Sequence, residues 1–178
     1  MDHEIDGSFE INDEIVDFSK GRGYIEKDWG RSFPSAYVWM QANHFSQPGI
    51  SLKTSVANIP WLGRSFVGFI AGLNFENQLI EFTTYKRSSL VRLQADADTV
   101  ELVLVNKRYR LEVIVERAKS TELASPIQGF MDGRISESMR SHADVKLIDI
   151  KNGKILFSDR SEHMALEVAG NLSEILTH

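Results

Sequence analysis

Two carboxylic acids and a phenol alternate through residues 24–28, and two aromatics and two amides alternate through residues 37–43. In a strand over residues 24–29, Tyr24, Glu26 and Asp28 share one face, with Ile25, Lys27 and Trp29 on the other. A carboxyl group facing an apolar cavity loses hydration, so its pKa rises toward the range in which a general acid works near neutral pH. The same acids on a solvated face would pair with Lys or Arg and do no chemistry. Beyond a turn at residues 30–34, Tyr37, Trp39, Gln41 and Asn43 fall on one face, and Ala36, Val38, Met40, Ala42 and His44 on the other. The first set mixes an apolar wall with a few directional polar groups, as ligand pockets do. Amides buried there need partners, which a ligand or ordered water supplies. The alternative is an exposed aromatic face whose amides bond to turn backbone. His44 reads as a hydrogen-bonded residue at the strand end.

Other chemistries have no local signature. The histidines at positions 3, 44, 142, 163 and 178 form no HxH or HExxH spacing, so no metal site is expected. Gly21-Arg22-Gly23 lacks the third glycine of a dinucleotide loop, and no phosphate-binding glycine loop or GxSxG nucleophile turn occurs. No cofactor is expected.

The elements that must position these residues are strands. Tyr109, Leu111, Val113 and Val115 alternate with charged residues, and Val100, Leu102 and Leu104 supply a matching face across a turn at residues 106–108. Residues 66–75 pair with 78–85 across Glu76-Asn77, and residues 89–95 pair with 99–105 across the Asp96 region. Together these predict a continuous meander over residues 66–117. Gly68 and Gly72 share one face of their strand, which suits a coiled sheet. Asn152-Gly153 predicts a two-residue hairpin turn that sets Ile150 opposite Ile155, Ile148 opposite Phe157 and Lys146 opposite Asp159. The last strand is expected to reach about Ala169, followed by one helical turn. The fold class is therefore all-β and antiparallel, a lipocalin-like barrel or strongly bent sheet meander with little helix. Open edges in such a sheet favour a homodimer.

The chain has 178 residues with 42% hydrophobic and 25% charged, ordinary globular proportions that suit one β domain over residues 1–178. A formal charge of -5, without a basic cluster, argues against nucleic acid as a partner. The absence of cysteine fits a reducing compartment, and cytoplasm is expected. The acidic start has no signal-peptide pattern, and no run approaches the roughly 20 apolar residues of a membrane span, which leaves peripheral membrane contact open.

The segment GYIEKDWGRSFPSAYVWMQANHF resembles the signature segment of the tocopherol cyclase family. PGISLKTSVANIP, GFIAGLNF, ASPIQGFMDGRISES and ALEVAGN resemble later parts of it, so the likeness runs over residues 21–171. The resemblance implies a lipocalin-like barrel with an apolar cavity that takes a prenylated or lipid-like ligand. In the family, a prenyl double bond is protonated and a phenol oxygen adds to the resulting cation. For that chemistry Glu26, Asp28, Trp29, Tyr37 and Trp39 are of the right types, with Glu26 or Asp28 expected as proton donor, and the strand faces add Tyr24, Gln41 and Asn43 to the expected ligand wall. Family members are longer, so the expectation is a bacterial member or the C-terminal portion of a longer protein. A non-catalytic lipid or isoprenoid carrier or sensor, or a structural module, is the alternative.

Overall fold

Alternation at period two carries the chain through strands almost from end to end. A computed structural model describes residues 1–177; His178, one of the five histidines, lies outside them. The strands are β1 (His3–Ile5), β2 (Ser8–Ile11), β3 (Glu14–Asp17), β4 (Gly21–Gly23), β5 (Ala36–Ala42), β6 (Ser51–Trp61) and β7 (Arg64–Phe75). They continue as β8 (Gln78–Thr83), β9 (Ser89–Ala95), β10 (Thr99–Val105), β11 (Tyr109–Glu116), β12 (Thr121–Ile127), β13 (Phe130–Asp149) and β14 (Lys154–Gly170). Ten of them form one antiparallel sheet in the order β8-β7-β6-β5-β14-β13-β11-β10-β9, with β12 added alongside β13. β1 pairs with β4, and β2 with β3, as two small ribbons.

The sheet is strongly bent but not closed into a barrel among the described residues. β8 and β9 follow one another in sequence yet sit at the two ends of the strand order. The expected continuous meander over residues 66–117 breaks between them, where Thr84–Lys86 forms one 3-10 turn and Arg87 takes a left-handed conformation at φ 61°. That turn replaces the ladder that would have closed the cylinder. Both edges are partly covered. The Asn106 side chain donates to the Glu81 carbonyl of β8, while Thr177 exchanges hydrogen bonds with the Leu93 backbone of β9.

The inner face of the bend holds the core. Val38, Met40, Leu52, Leu73 and Phe82 from one half meet Leu93, Leu102, Leu104, Leu111 and Val113 from the other, all fully buried. The β10–β11 pairing sets Val100 opposite Val115, Leu102 opposite Val113 and Leu104 opposite Leu111, as the alternation predicts. Glu76 and Asn77 both have positive φ and close the β7–β8 hairpin in two residues, also as predicted. After β14 a 3-10 turn at Leu172–Glu174 brings Ile175 against the core.

Two local expectations are corrected. The β13–β14 hairpin forms, but only Gly153 of the Asn-Gly pair has positive φ, and the loop holds four residues closed by Gly153 N–H donating to the Asp149 carbonyl. With that loop and a bulge after Leu147, Leu147 rather than Ile148 faces Phe157, which keeps both of these side chains in the core. Residues 24–29 form no strand, because no neighbouring strand accepts their backbone; they cross the outer face of the sheet instead. Replacing Leu102, at the centre of the packed interior, by Ala is expected to cost about 2–5 kcal/mol of stability, read from the midpoint of urea unfolding.

Candidate functional site

The core fills the inside of the bend, so the open space lies on the other face. Because β5 is central, its alternate residues serve both sides: Ala36, Val38, Met40 and Ala42 enter the core, while Tyr37, Trp39 and Gln41, with Asn43 just beyond the strand, face outward. Small residues beside them, Ser55 and Ala57 on β6 and Ala165 on β14, leave a floor with room above it. Residues 22–34 and the β12–β13 arm wall this floor, enclosing a cleft of ≈ 1320 Å³. The arm is tied to the crossing segment by Gly129 N–H donating to the Arg31 carbonyl (2.7 Å) and by Gln128 N–H donating to the Ser32 hydroxyl (2.9 Å). All eight residues singled out in the sequence, Tyr24, Glu26, Asp28, Trp29, Tyr37, Trp39, Gln41 and Asn43, line this cleft. Trp29 lines it although alternation sets it on the opposite face from Tyr24, since residues 24–29 do not run as a strand.

The register builds an electrostatic row across the floor. Glu137 on β13 faces Glu167 on β14, Glu167 faces Trp39 on β5, and Trp39 faces Ser55 on β6. Glu26 hangs over the same tryptophan. Its carboxylate accepts from Tyr24 Oη and from Trp39 Nε1 (3.2 Å), and pairs with Lys53 Nζ at 3.1 Å. Burial pushes the Glu26 carboxyl up, but the Tyr24 hydrogen bond and the Lys53 ammonium, with Trp39, outweigh it and hold the pKa below the ordinary glutamate value. Glu167 goes the other way. It accepts from Tyr37 Oη (2.9 Å), yet burial first, then the charges of Glu137, Glu26 and Asp28, raise its pKa. Burial and the neighbouring carboxylates raise the phenols of Tyr24 and Tyr37 as well, so both act as donors.

The far end of the cleft is polar. The Gln41 side chain is buried, and its Nε2 has no partner among the described residues. Asn43 donates to Asp2 (3.4 Å), which also pairs with Arg22. His44 does not continue the core face of β5, because the strand ends at Ala42; its ring meets that of His163 edge-on at 5.5 Å. Burial, then the charges of His163 and Arg22, lower the His44 pKa. No cluster of His, Cys, Asp or Glu suited to a metal occurs among the described residues.

Sequence reasoning missed Glu167, Lys53 and His163. Glu167 had a signal: Met164, Leu166 and Val168 alternate as a core face, which puts Glu167 on the outer one. Lys53 had none, since its meaning depends on facing Gln41 across β5–β6.

A family model described as "Tocopherol cyclase-like" matches residues 2–170. The chain belongs to the tocopherol cyclase-like family. A curated relative, "Tocopherol cyclase, chloroplastic" of Zea mays, is 31% identical over 85 residues, covering 44% of this chain and 18% of the maize protein. The chain thus corresponds to well under two thirds of that relative's length. No solved structure matches the chain. No helix among the described residues is long and apolar enough to cross a membrane.

The raised pKa of Glu167 carries a sign for stability. A folded-state pKa above the ordinary 4.5 means that the folded chain binds more protons than the unfolded chain between those two values. The contribution of Glu167 therefore falls as pH rises through that window. Glu167→Gln should gain stability relative to the parent on going from about pH 4 to about pH 8, measured by urea unfolding at both. An unchanged difference at the two pH values would show that Glu167 titrates normally.

Proposed function

We propose that the outer-face cleft binds an apolar prenylated or lipid-like ligand and closes the ring of a prenylphenol by protonating a double bond. The observation that carries this reading is a pair of carboxyl groups flanking Trp39 whose surroundings drive them apart, Glu167 toward the acid and Glu26 toward the anion. Opposed shifts of this kind are how one site supplies an acid and a base at the same pH. Family membership supports the reaction class.

In this scheme Glu167, protonated, gives its proton to one alkene carbon of the prenyl chain. The positive charge forms on the more substituted carbon, above the face of Trp39, whose ring quadrupole stabilises it. The phenol oxygen bonds to that carbon, and the phenol proton passes to Glu26. A later proton transfer from Glu26 to Glu167 restores both groups, so the net change is an isomerisation with no oxidant or reductant. Tyr37 orients Glu167, and Lys53 keeps Glu26 charged until the phenol proton arrives. Asp28 lies in the same wall and adds negative charge felt by Glu167.

The second reading, a lipocalin-like carrier or sensor of a lipid or isoprenoid, draws on Gln41. A buried amide donor without a partner loses about 1–3 kcal/mol unless a bound acceptor satisfies it, whether or not a reaction follows. A prenylated hydroquinone incubated with the chain separates the readings. Catalysis predicts a cyclised product whose rate falls about 100-fold or more in Glu167→Gln while the ligand still binds. Trp39→Ala should weaken binding itself. Saturable binding without product would leave the carrier, and no saturable binding in repeated preparations would leave a structural module.

A further inference from the structure

Three apolar projections meet at one end of the main sheet. The β6–β7 hairpin runs past the start of β5 and ends in Trp61 and Leu62, 65% and 89% exposed. The β12–β13 arm runs past the end of β14 at that same end and carries Phe130, 70% exposed, beside Met131. Trp29, 85% exposed, belongs to the crossing segment that is hydrogen-bonded to this arm. Among the described residues these side chains stay largely exposed, with the Lys27 ammonium 5.9 Å from the Trp29 ring centre, and Trp29 and Met131 also border the cleft. Isolated exposed apolar residues are ordinary, but large ones gathered on separate tips around one opening mark a contact surface.

Charge identifies what that surface meets. Residues 24–34, 59–67 and 126–134 hold Lys27, Arg31, Arg64 and Arg134 against Glu26, Asp28 and Asp132, a formal +1 on a chain of formal charge -5. A second exposed apolar feature, the β2–β3 ribbon with Phe9 and Ile15, carries Glu10, Asp13, Glu14 and Asp17 and no base. We infer that the Trp29, Trp61–Leu62 and Phe130–Met131 rim docks on an anionic lipid bilayer, with the aromatic rings at headgroup depth and the arginines against lipid phosphates. Tryptophan favours that depth because its ring is apolar and its N–H stays hydrated. Basic side chains near an anionic leaflet are drawn to its negative surface potential. The β2–β3 ribbon is repelled by the same surface. Docking in this orientation sets the cleft mouth against the lipid, but it stands on the rim alone and does not require that the cleft bind or convert anything.

The test is co-sedimentation of the full chain with vesicles of phosphatidylcholine and phosphatidylglycerol, and with vesicles of phosphatidylcholine alone. Binding is expected to the anionic vesicles, several-fold weaker to the neutral ones, with a blue shift of tryptophan fluorescence. Trp61→Ser combined with Leu62→Ser, and separately Phe130→Ser, should each lower vesicle affinity about tenfold or more. Ile15→Ser should leave it unchanged. These side chains are exposed, so the variants should keep the parent far-ultraviolet spectrum, and the single Phe130→Ser change serves if the double one unfolds. Failure to bind anionic vesicles would overturn the proposal, as would equal loss in Ile15→Ser. So would a self-associated species that the rim changes dissociate, since that would assign the rim to a second copy of the chain.

Discussion

The whole arrangement depends on strand β5 being covered on both faces. Its inner residues, Ala36, Val38, Met40 and Ala42, sit in a packed interior, with Thr54 of β6 buried opposite Met40, that does not tolerate a shift of register. Its outer residues are then fixed without any choice, since a slip of one position would send Trp39 and Gln41 into the core and expose Val38 and Met40. Pairing with β6 on one side and β14 on the other transmits that constraint sideways. Ser55, Ala165 and Glu167 hold their places on the cleft floor because Val56, Leu166 and Met164 hold theirs in the core. The geometry of the site is thus set by aliphatic packing on the opposite side of a single backbone layer.

On that rigid floor the acids are deliberately unequal in surroundings. Glu137 and Glu167 face each other directly across β13 and β14, a like-charge pair that costs stability unless one member takes up a proton. Glu26 instead reaches a lysine, a phenol and an indole N–H. The difference arises from strand position. Lys53 lies one alternation along β6 from Ser55, on the side toward Gln41, so it can reach the acid held over Trp39 but sits away from the β13–β14 pair. A chain with this sheet but with Lys53 neutral would leave Glu26 the Tyr24 and Trp39 hydrogen bonds but remove the ammonium that also favours its charged form.

How much of this was legible in the residues follows the range of the interactions. The hairpins at Glu76-Asn77 and across Val100–Val115, and the two faces of β5, rest on neighbours in sequence and on period two, and they form as read. The Asn152-Gly153 hairpin was legible as a turn but not in register, because a two-residue and a four-residue closure share that dipeptide, and burial of Leu147 opposite Phe157 decides between them. Residues 24–29 alternate convincingly yet form no strand, since alternation says nothing about whether an edge is available to pair with. Glu167 was missed because strand β14 was read for its apolar face alone, and Lys53 and His163 because only long-range pairing brings them to the cleft.

Aliphatic packing inside the bend leaves the open space outside it. A lipocalin-like cylinder would hold its cavity inside, but here Leu93, Leu102, Leu104 and Leu111 fill the interior against Leu52, Leu73 and Phe82. The cleft therefore has walls of unequal character. Its floor is a central sheet whose opening would disrupt the core, whereas its far wall is a segment without regular structure joined to the β12–β13 arm by a few hydrogen bonds. Separating that wall from the floor exposes little buried apolar surface, so it costs far less than opening the sheet. Displacing that wall would carry Glu26 away with it, while Trp39 and Glu167 stay in register on the sheet, so under the proposed function a long apolar chain enters past a movable acid and meets a fixed one.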